Sequence, residues 1–321
     1  MLSRTADHLF WMARYTERAE NTARMLDVAV QTSMLPQTAQ DSAQAWRALL
    51  GISELQAAFD ARHAALNADN VLDFMVADPT NPSSIVACLT AARENARAVR
   101  GVLTTEAWEM QNATWIELHE RAAQASADPG TFFDWVKHRS HLSRGVVVGT
   151  MLNDEAMVFI RLGTFLERAD NTARLLDVKY HGAHDGAGDA ARVAHGEILT
   201  QREFYYWAAL LRSVAGFETY RKVYRDAITP ARVAELLMLR ADMPRSLLAC
   251  MEQVVANLKA VRNDVSFETE RLAGKMHAEL QFARIDDVLD AGLDATLDRF
   301  MKNVYALGNG ISRDFLVPLG A

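Results

Sequence analysis

Apolar residues recur at three- and four-residue intervals along most of the 321-residue chain, the spacing that gives helices one buried face. The segments carrying this pattern are rich in Ala, Leu, Glu and Arg, which favour helix. Gly and Pro interrupt them at Pro36, Pro79 to Pro82, Pro129-Gly130, His181 to Gly188, Pro230, Pro244 and Gly308 to Gly310. Only Gly145-Val-Val-Val-Gly149 looks like strand, and it is too short to found a sheet. The pattern predicts an all-α protein. His181 to Gly188 reads as a loop, with His181 and His184 solvated rather than liganding.

Projected on a helix, Leu9, Met12, Tyr15, Ala19, Ala23, Leu26 and Val30 form one broad apolar face. Glu17, Glu20, Asn21 and Arg24 lie roughly opposite at i, i+3, i+4 and i+7, as one polar patch. Phe10, Met25 and Val28 flank that patch on its own azimuth, so this helix is expected to be buried on two sides. Buried charges without partners cost several kcal/mol each, roughly. These residues therefore need partners.

The same segment supplies them. Glu17-Arg-Ala-Glu-Asn-Thr-Ala-Arg-Met-Leu-Asp-Val28 recurs 150 positions later as Glu167-Arg-Ala-Asp-Asn-Thr-Ala-Arg-Leu-Leu-Asp-Val178, with only Glu20/Asp170 and Met25/Leu175 exchanged. Further landmarks recur in order. Trp46 to Leu50 answers Trp207 to Leu211, Pro82 with Ser84 to Cys88 answers Pro244 with Ser246 to Cys250, and Gly145 echoes Gly310. The chain reads as an internally duplicated helical bundle, with repeats at 1–150 and 151–321, each of ordinary domain size with about five or six helices. Across a pseudo-twofold, Glu17 would meet Arg168 or Arg174, and Glu167 would meet Arg18 or Arg24.

Composition narrows the function. Half the chain is hydrophobic and the net charge is -7, from interspersed acids and bases. No basic block is present to track nucleic-acid phosphates. Arg4, Asp7, Arg14, Glu17 and Arg18 interrupt any apolar signal segment in the first twenty residues, and no stretch suits a membrane span. The two cysteines, Cys88 and Cys250, are repeat-equivalent and sit in apolar runs, so they read as packing residues in a reducing, cytoplasmic setting.

Three readings of the repeated charges stay open. They can form a structural ion-pair core that fixes register. They can form an anion site in which Arg18, Arg24, Arg168 and Arg174 hold a carboxylate while Glu17, Glu20, Asn21, Glu167, Asp170 and Asn171 orient them. They can also resemble, in outline, the paired acids of a helical-bundle metal site, although acids replace the required His and neighbouring arginines repel a cation. No metal or other cofactor is assigned. Glu17 and Glu167 are the candidates for acid–base work, but no nucleophile elbow, phosphate loop or zinc helix accompanies them. His138 and His141 lack histidine equivalents in the second repeat and read as a solvated face. Leu2-Ser-Arg4, Leu142-Ser-Arg144 and Ile311-Ser-Arg313 share a Ser that could cap helix starts.

Leu2-Ser-Arg-Thr-Ala-Asp-His-Leu-Phe-Trp-Met-Ala-Arg-Tyr-Thr-Glu-Arg-Ala-Glu-Asn-Thr-Ala-Arg24 resembles the opening signature of the bacterial alpha-E family. Phe165-Leu-Glu-Arg-Ala-Asp-Asn-Thr-Ala-Arg174 is similar to that family's repeat of it. The resemblance spans essentially the whole chain and makes Glu17-Arg18 and Glu167-Arg168 the motif positions. It implies an all-helical accessory protein, encoded beside or fused to circularly permuted ATP-grasp ligases and near transglutaminase-like cysteine peptidases. The expected role is therefore that of a helper in peptide or amide-bond formation, more a non-catalytic partner than an independent enzyme.

Overall fold

The computed structural model describes residues 1–34, 38–184 and 201–316. Every regular element among them is a helix. In chain order these are α1 (Ser3–Ser33), α2 (Ala39–Ile52), α3 (Gln56–Asp60), α4 (Ala68–Val76), α5 (Ile85–Ala98), α6 (Thr105–Gln124), α7 (Pro129–Thr150) and α8 (Glu155–His184). From residue 201 onward come α9 (Gln201–Ser213), α10 (Phe217–Tyr224), α11 (Pro230–Met238), α12 (Leu247–Ala260), α13 (Phe267–Gln281), α14 (Ile285–Asp290) and α15 (Leu293–Phe315).

This is more helices than the punctuation of the sequence suggests, because α3, α10 and α14 are too short to show a period. The strand-like Gly145 to Gly149 belongs to α7. Its valines follow the surrounding helix, with Val147 buried and Val148 exposed. The expected loop at His181 begins as the last turn of α8, and 185–200, like Pro36, lies outside the described residues.

Helix starts carry the side chains that their free N–H groups require. Asn67, Ser84, Thr104, Asp128, Thr229 and Ser246 each accept a hydrogen bond from a backbone N–H three residues on. Pro129 and Pro230 follow two of these caps, where a missing N–H costs nothing. The three Ser-Arg sequences do not act this way. Ser3 opens α1 without a side-chain cap, Ser143 lies inside α7, and Ser312 lies in the last turn of α15.

The long helices α1 and α8 form the centre. They pack on each other, while α5 and α7 flank α1, and α12 and α15 flank α8. Their crossing is close because Gly163 has no side chain. A Cβ there would stand 2.3 Å from the Phe10 carbonyl oxygen and 3.2 Å from the Ala13 Cβ. Leu9, Met12, Ala19, Ala23 and Leu26 of α1 are buried, as are Leu162, Leu166, Ala169, Ala173 and Leu176 of α8. The opposite face of α1 is buried too, through Glu17, Glu20 and Asn21. With apolar packing on one side and charge on the other, α1 is enclosed from both. Cys88 and Cys250 are free and fully buried, and burial pushes both thiols up to about 12, leaving them unreactive.

Candidate functional site

The close α1–α8 crossing brings the two repeated Glu-Arg pairs within reach of each other. The Arg168 guanidinium grips Glu17 in two-point fashion, Nε to Oε1 at 2.9 Å and Nη2 to Oε2 at 3.0 Å. Arg18 grips Glu167 reciprocally, Nε to Oε1 at 2.6 Å and Nη2 to Oε2 at 3.1 Å. A planar guanidinium suits this contact because two parallel N–H bonds satisfy both oxygens of a carboxylate. Arg24 and Arg174 do not cross. Each turns back to the acid one turn earlier on its own helix, Arg24 to Glu20 and Arg174 to Asp170, both at 2.8 Å.

Beyond these pairs the two ends of the crossing differ. At the Glu17 end, Arg144 of α7 places its Nη1 3.0 Å from Glu17 and 2.5 Å from Glu20. Arg245, in the connection between α11 and α12, reaches Glu17 at 3.1 Å, Glu20 at 2.6 Å and the Asn21 side-chain oxygen at 2.9 Å. Ser140 donates a further hydrogen bond to Glu20 at 2.7 Å. Local structure fixes Arg245. The Ser246 hydroxyl caps α12, and Thr172 of α8 hydrogen-bonds the Arg245 carbonyl at 2.9 Å.

Glu17 and Glu20 are 1% and 0% exposed, so their charges survive only through these donors. Burial pushes both carboxyls up. The arginines outweigh it, chiefly Arg168 and Arg245 at Glu17 and Arg245 and Arg144 at Glu20, and hold both below the usual carboxylate range. Four arginines (Arg24, Arg144, Arg168, Arg245) thus face two acids, an excess of two positive charges among the described residues. Burial in this crowd, despite Glu17 and Glu20, presses the Arg245 pKa downward. The cluster lacks negative charge.

At the Glu167 end the account balances. Glu167 takes Arg18 and Arg14, the latter at 2.7 Å. Burial raises its carboxyl, but Arg14 and Arg18 bring it down to about 2. Asp170 takes Arg174, which also reaches Glu54. Here burial prevails over Arg174, and the Asp170 carboxyl is raised. Three described arginines meet three acids.

A cavity of about 140 Å³ opens beside the Glu17 end. Met12, Ala13, Val147, Val148, Met157, Ile160 and Phe165 give it apolar walls, and Glu17, Arg144, Arg161 and Arg168 charge one part of its lining. Arg161 has one nitrogen on Asn153 at 3.1 Å.

The sequence-derived site residues are therefore close together but differently employed. Arg18, Arg24, Arg168 and Arg174 spend donors on the protein's own carboxylates instead of presenting all of them to a ligand. Glu17, with four short contacts, has little lone-pair capacity left for accepting a proton. Asn21 and Asn171, equivalent in the repeat, each bury a side-chain amide nitrogen with no acceptor among the described residues. No group of three or more His, Cys, Asp or Glu suited to a metal occurs among those residues. Sequence reasoning missed Arg144, Arg161, Arg245 and the contacts of His141. A signal existed for two of them. In the register that aligns the repeats, Arg245 stands opposite Ser83 and Arg144 opposite Asn309, so charge appears where its counterpart is neutral.

No described helix is long and apolar enough to cross a membrane. No solved structure matches the chain. Uncharacterised proteins of Mycobacterium bovis and Mycobacterium tuberculosis are each 26% identical to it over 332 aligned residues, covering 94% of this chain. The chain spans only 35% of those relatives' length. A family model described as a predicted alpha-helical domain with a conserved ER motif matches residues 1–316, which hold Glu17-Arg18 and Glu167-Arg168 within the paired helices, and the chain belongs to this Alpha-E family.

Proposed function

We propose that this protein is the helical partner of an ATP-grasp type amide-ligase system and binds a carboxylate-bearing peptide substrate, the ligase, or both. The observation that carries the binding role is the excess of two guanidinium charges at the Glu17 end, beside an open cavity with apolar walls. Such a cavity suits a carboxylate on a short aliphatic group. The carboxylate meets Arg144 and Arg161, the aliphatic part meets Met157, Ile160 and Phe165, and Glu17 and Glu20 hold the arginines in place. Glu17 and Glu167 then orient guanidiniums and do not transfer protons.

The ligase connection rests on the resemblance of the opening signature. It gains support from the longer relatives, in which the homologous region is covalently joined to further chain. The reciprocal Glu17–Arg168 and Glu167–Arg18 contacts likewise support an origin by duplication, with the halves related by a pseudo-twofold. A second reading, an ion-pair core that only fixes packing, is favoured by the saturation of Glu17 and Glu20, but it leaves the two extra arginines without a purpose.

Co-purification with the ATP-grasp protein of the same organism tests the proposal. Co-elution at micromolar concentration is expected, together with loss of ligase activity in Arg144→Gln. Separate elution, or full activity in that variant, contradicts it.

A further inference from the structure

The solvent side of the Glu17 end contains a contact that its own atoms cannot satisfy. Arg24 Nη2 lies 3.1 Å from His141 Nε2, and Arg144 Nη2 lies 2.8 Å from His141 Nδ1. A guanidinium can only donate. A neutral imidazole offers one acceptor nitrogen and a protonated imidazole offers none. In every protonation state, at least one of these contacts sets N–H against N–H. Neither arginine is free to turn away, because Glu20 holds Arg24 Nε, and Glu17, Glu20 and Ser140 hold Arg144 Nη1. The donors are fixed toward an exposed histidine.

We propose that Arg24, His141 and Arg144 form an oxyanion site that takes a phosphoryl dianion. An oxygen that accepts from the imidazole N–H and from the Nη2 opposed to it converts the opposed donors into hydrogen bonds. Three donor groups approaching from different directions suit tetrahedral oxygens better than a planar carboxylate, and two negative charges match the excess of the cluster. The charged groups around His141 are Glu20 and Arg24 of α1, Arg144 of α7 and Arg245 from the α11–α12 connection. Burial, then Arg144, Arg24 and Arg245 against the opposing Glu20, hold the imidazole below its ordinary pKa. A bound dianion reverses that balance. The site goes beyond the ligase reading, and it stands or falls without it.

Histidine-selective ¹⁵N NMR of the full chain, titrated with inorganic phosphate at constant ionic strength, tests it. The His141 signals are expected to move and saturate with a Kd of about 1 mM or tighter, and the His141 pKa is expected to rise. Binding should weaken at least about tenfold in Arg24→Gln, which leaves Glu20 three other donors for folding, and in His141→Asn followed by phosphate-dependent melting. Arg121→Gln, on the exposed face of α6, should bind normally. Phenyl phosphate separates the sources: binding equal to inorganic phosphate identifies an esterified phosphoryl group, and binding of inorganic phosphate alone identifies the free ion. Failure to saturate by about 50 mM, equal binding of acetate, or unchanged binding in Arg24→Gln overturns the proposal.

Discussion

The two ends of the α1–α8 crossing use nearly the same twelve residues and reach different electrostatic outcomes. Around Glu167 and Asp170, charge among the described residues closes on itself, and Arg14 and Arg18 lie over the aromatic rings of Trp11 and Tyr15. Around Glu17 and Glu20, Arg144 and Arg245 add two positive charges with no further described acid to balance them. The repeated motif explains the reciprocal pairs. Residues outside it explain the difference, so one end reads as architecture and the other as a place for an anion.

Removing the acid at each end should expose this contrast most strongly. Glu17→Gln leaves Arg168 and Arg245 buried with one strong acceptor fewer and should cost about 3–5 kcal/mol in urea unfolding. Glu167→Gln releases the more accessible Arg14 and Arg18 and should cost about 1–3 kcal/mol. Equal costs would erase the asymmetry. Gly163→Ala probes the crossing common to both ends. Its Cβ meets the Phe10 carbonyl, which no rotamer change relieves, so a loss of about 3 kcal/mol is expected by the same measurement. A near-neutral result would mean that the helices can separate without loss.

Much of this arrangement was legible in the sequence. Helical periodicity gave the class of fold. The i, i+3, i+4 placement of Glu17, Glu20 and Asn21 marked a buried polar face on an otherwise apolar helix, and the repeat limited the partners of Glu17 to two arginines. Geometry selected Arg168 because Arg174 lies within one turn of Asp170 and is captured there. Arg144 and Arg245 were not legible from α1 and α8, since their reach depends on how α7 and the α11–α12 connection pack. His138 and His141 look alike as a helical pair, and the placement of Arg24 and Arg144 against its ring distinguishes His141.

Smaller effects follow from proton linkage. Glu17, Glu20 and Glu167 have folded pKa values below the ordinary carboxylate value, so their contribution is present above about pH 4.5 and falls as acid protonates them, toward about pH 2 for Glu167. Acid unfolding followed by circular dichroism should therefore steepen below about pH 4.5, and both Glu17→Gln and Glu167→Gln should flatten it. His141 has the opposite sense in charge. Its folded pKa is depressed, so its neutral form supports the fold above about pH 6.5 and that support is lost as pH falls through the folded value. His141→Asn should reduce the loss of stability below about pH 6.5 by a small, measurable amount.

The uncompensated charge itself is tested most directly by exchanging the two extra arginines for their repeat counterparts, as the double variant Arg144→Asn, Arg245→Ser. Melting of this variant and of the unaltered protein is compared with about 20 mM phosphate against chloride at equal ionic strength; the unaltered protein should gain about 2–3 °C in Tm from phosphate. The double variant should still melt cooperatively and gain nothing. An equal phosphate gain in both proteins would contradict the account.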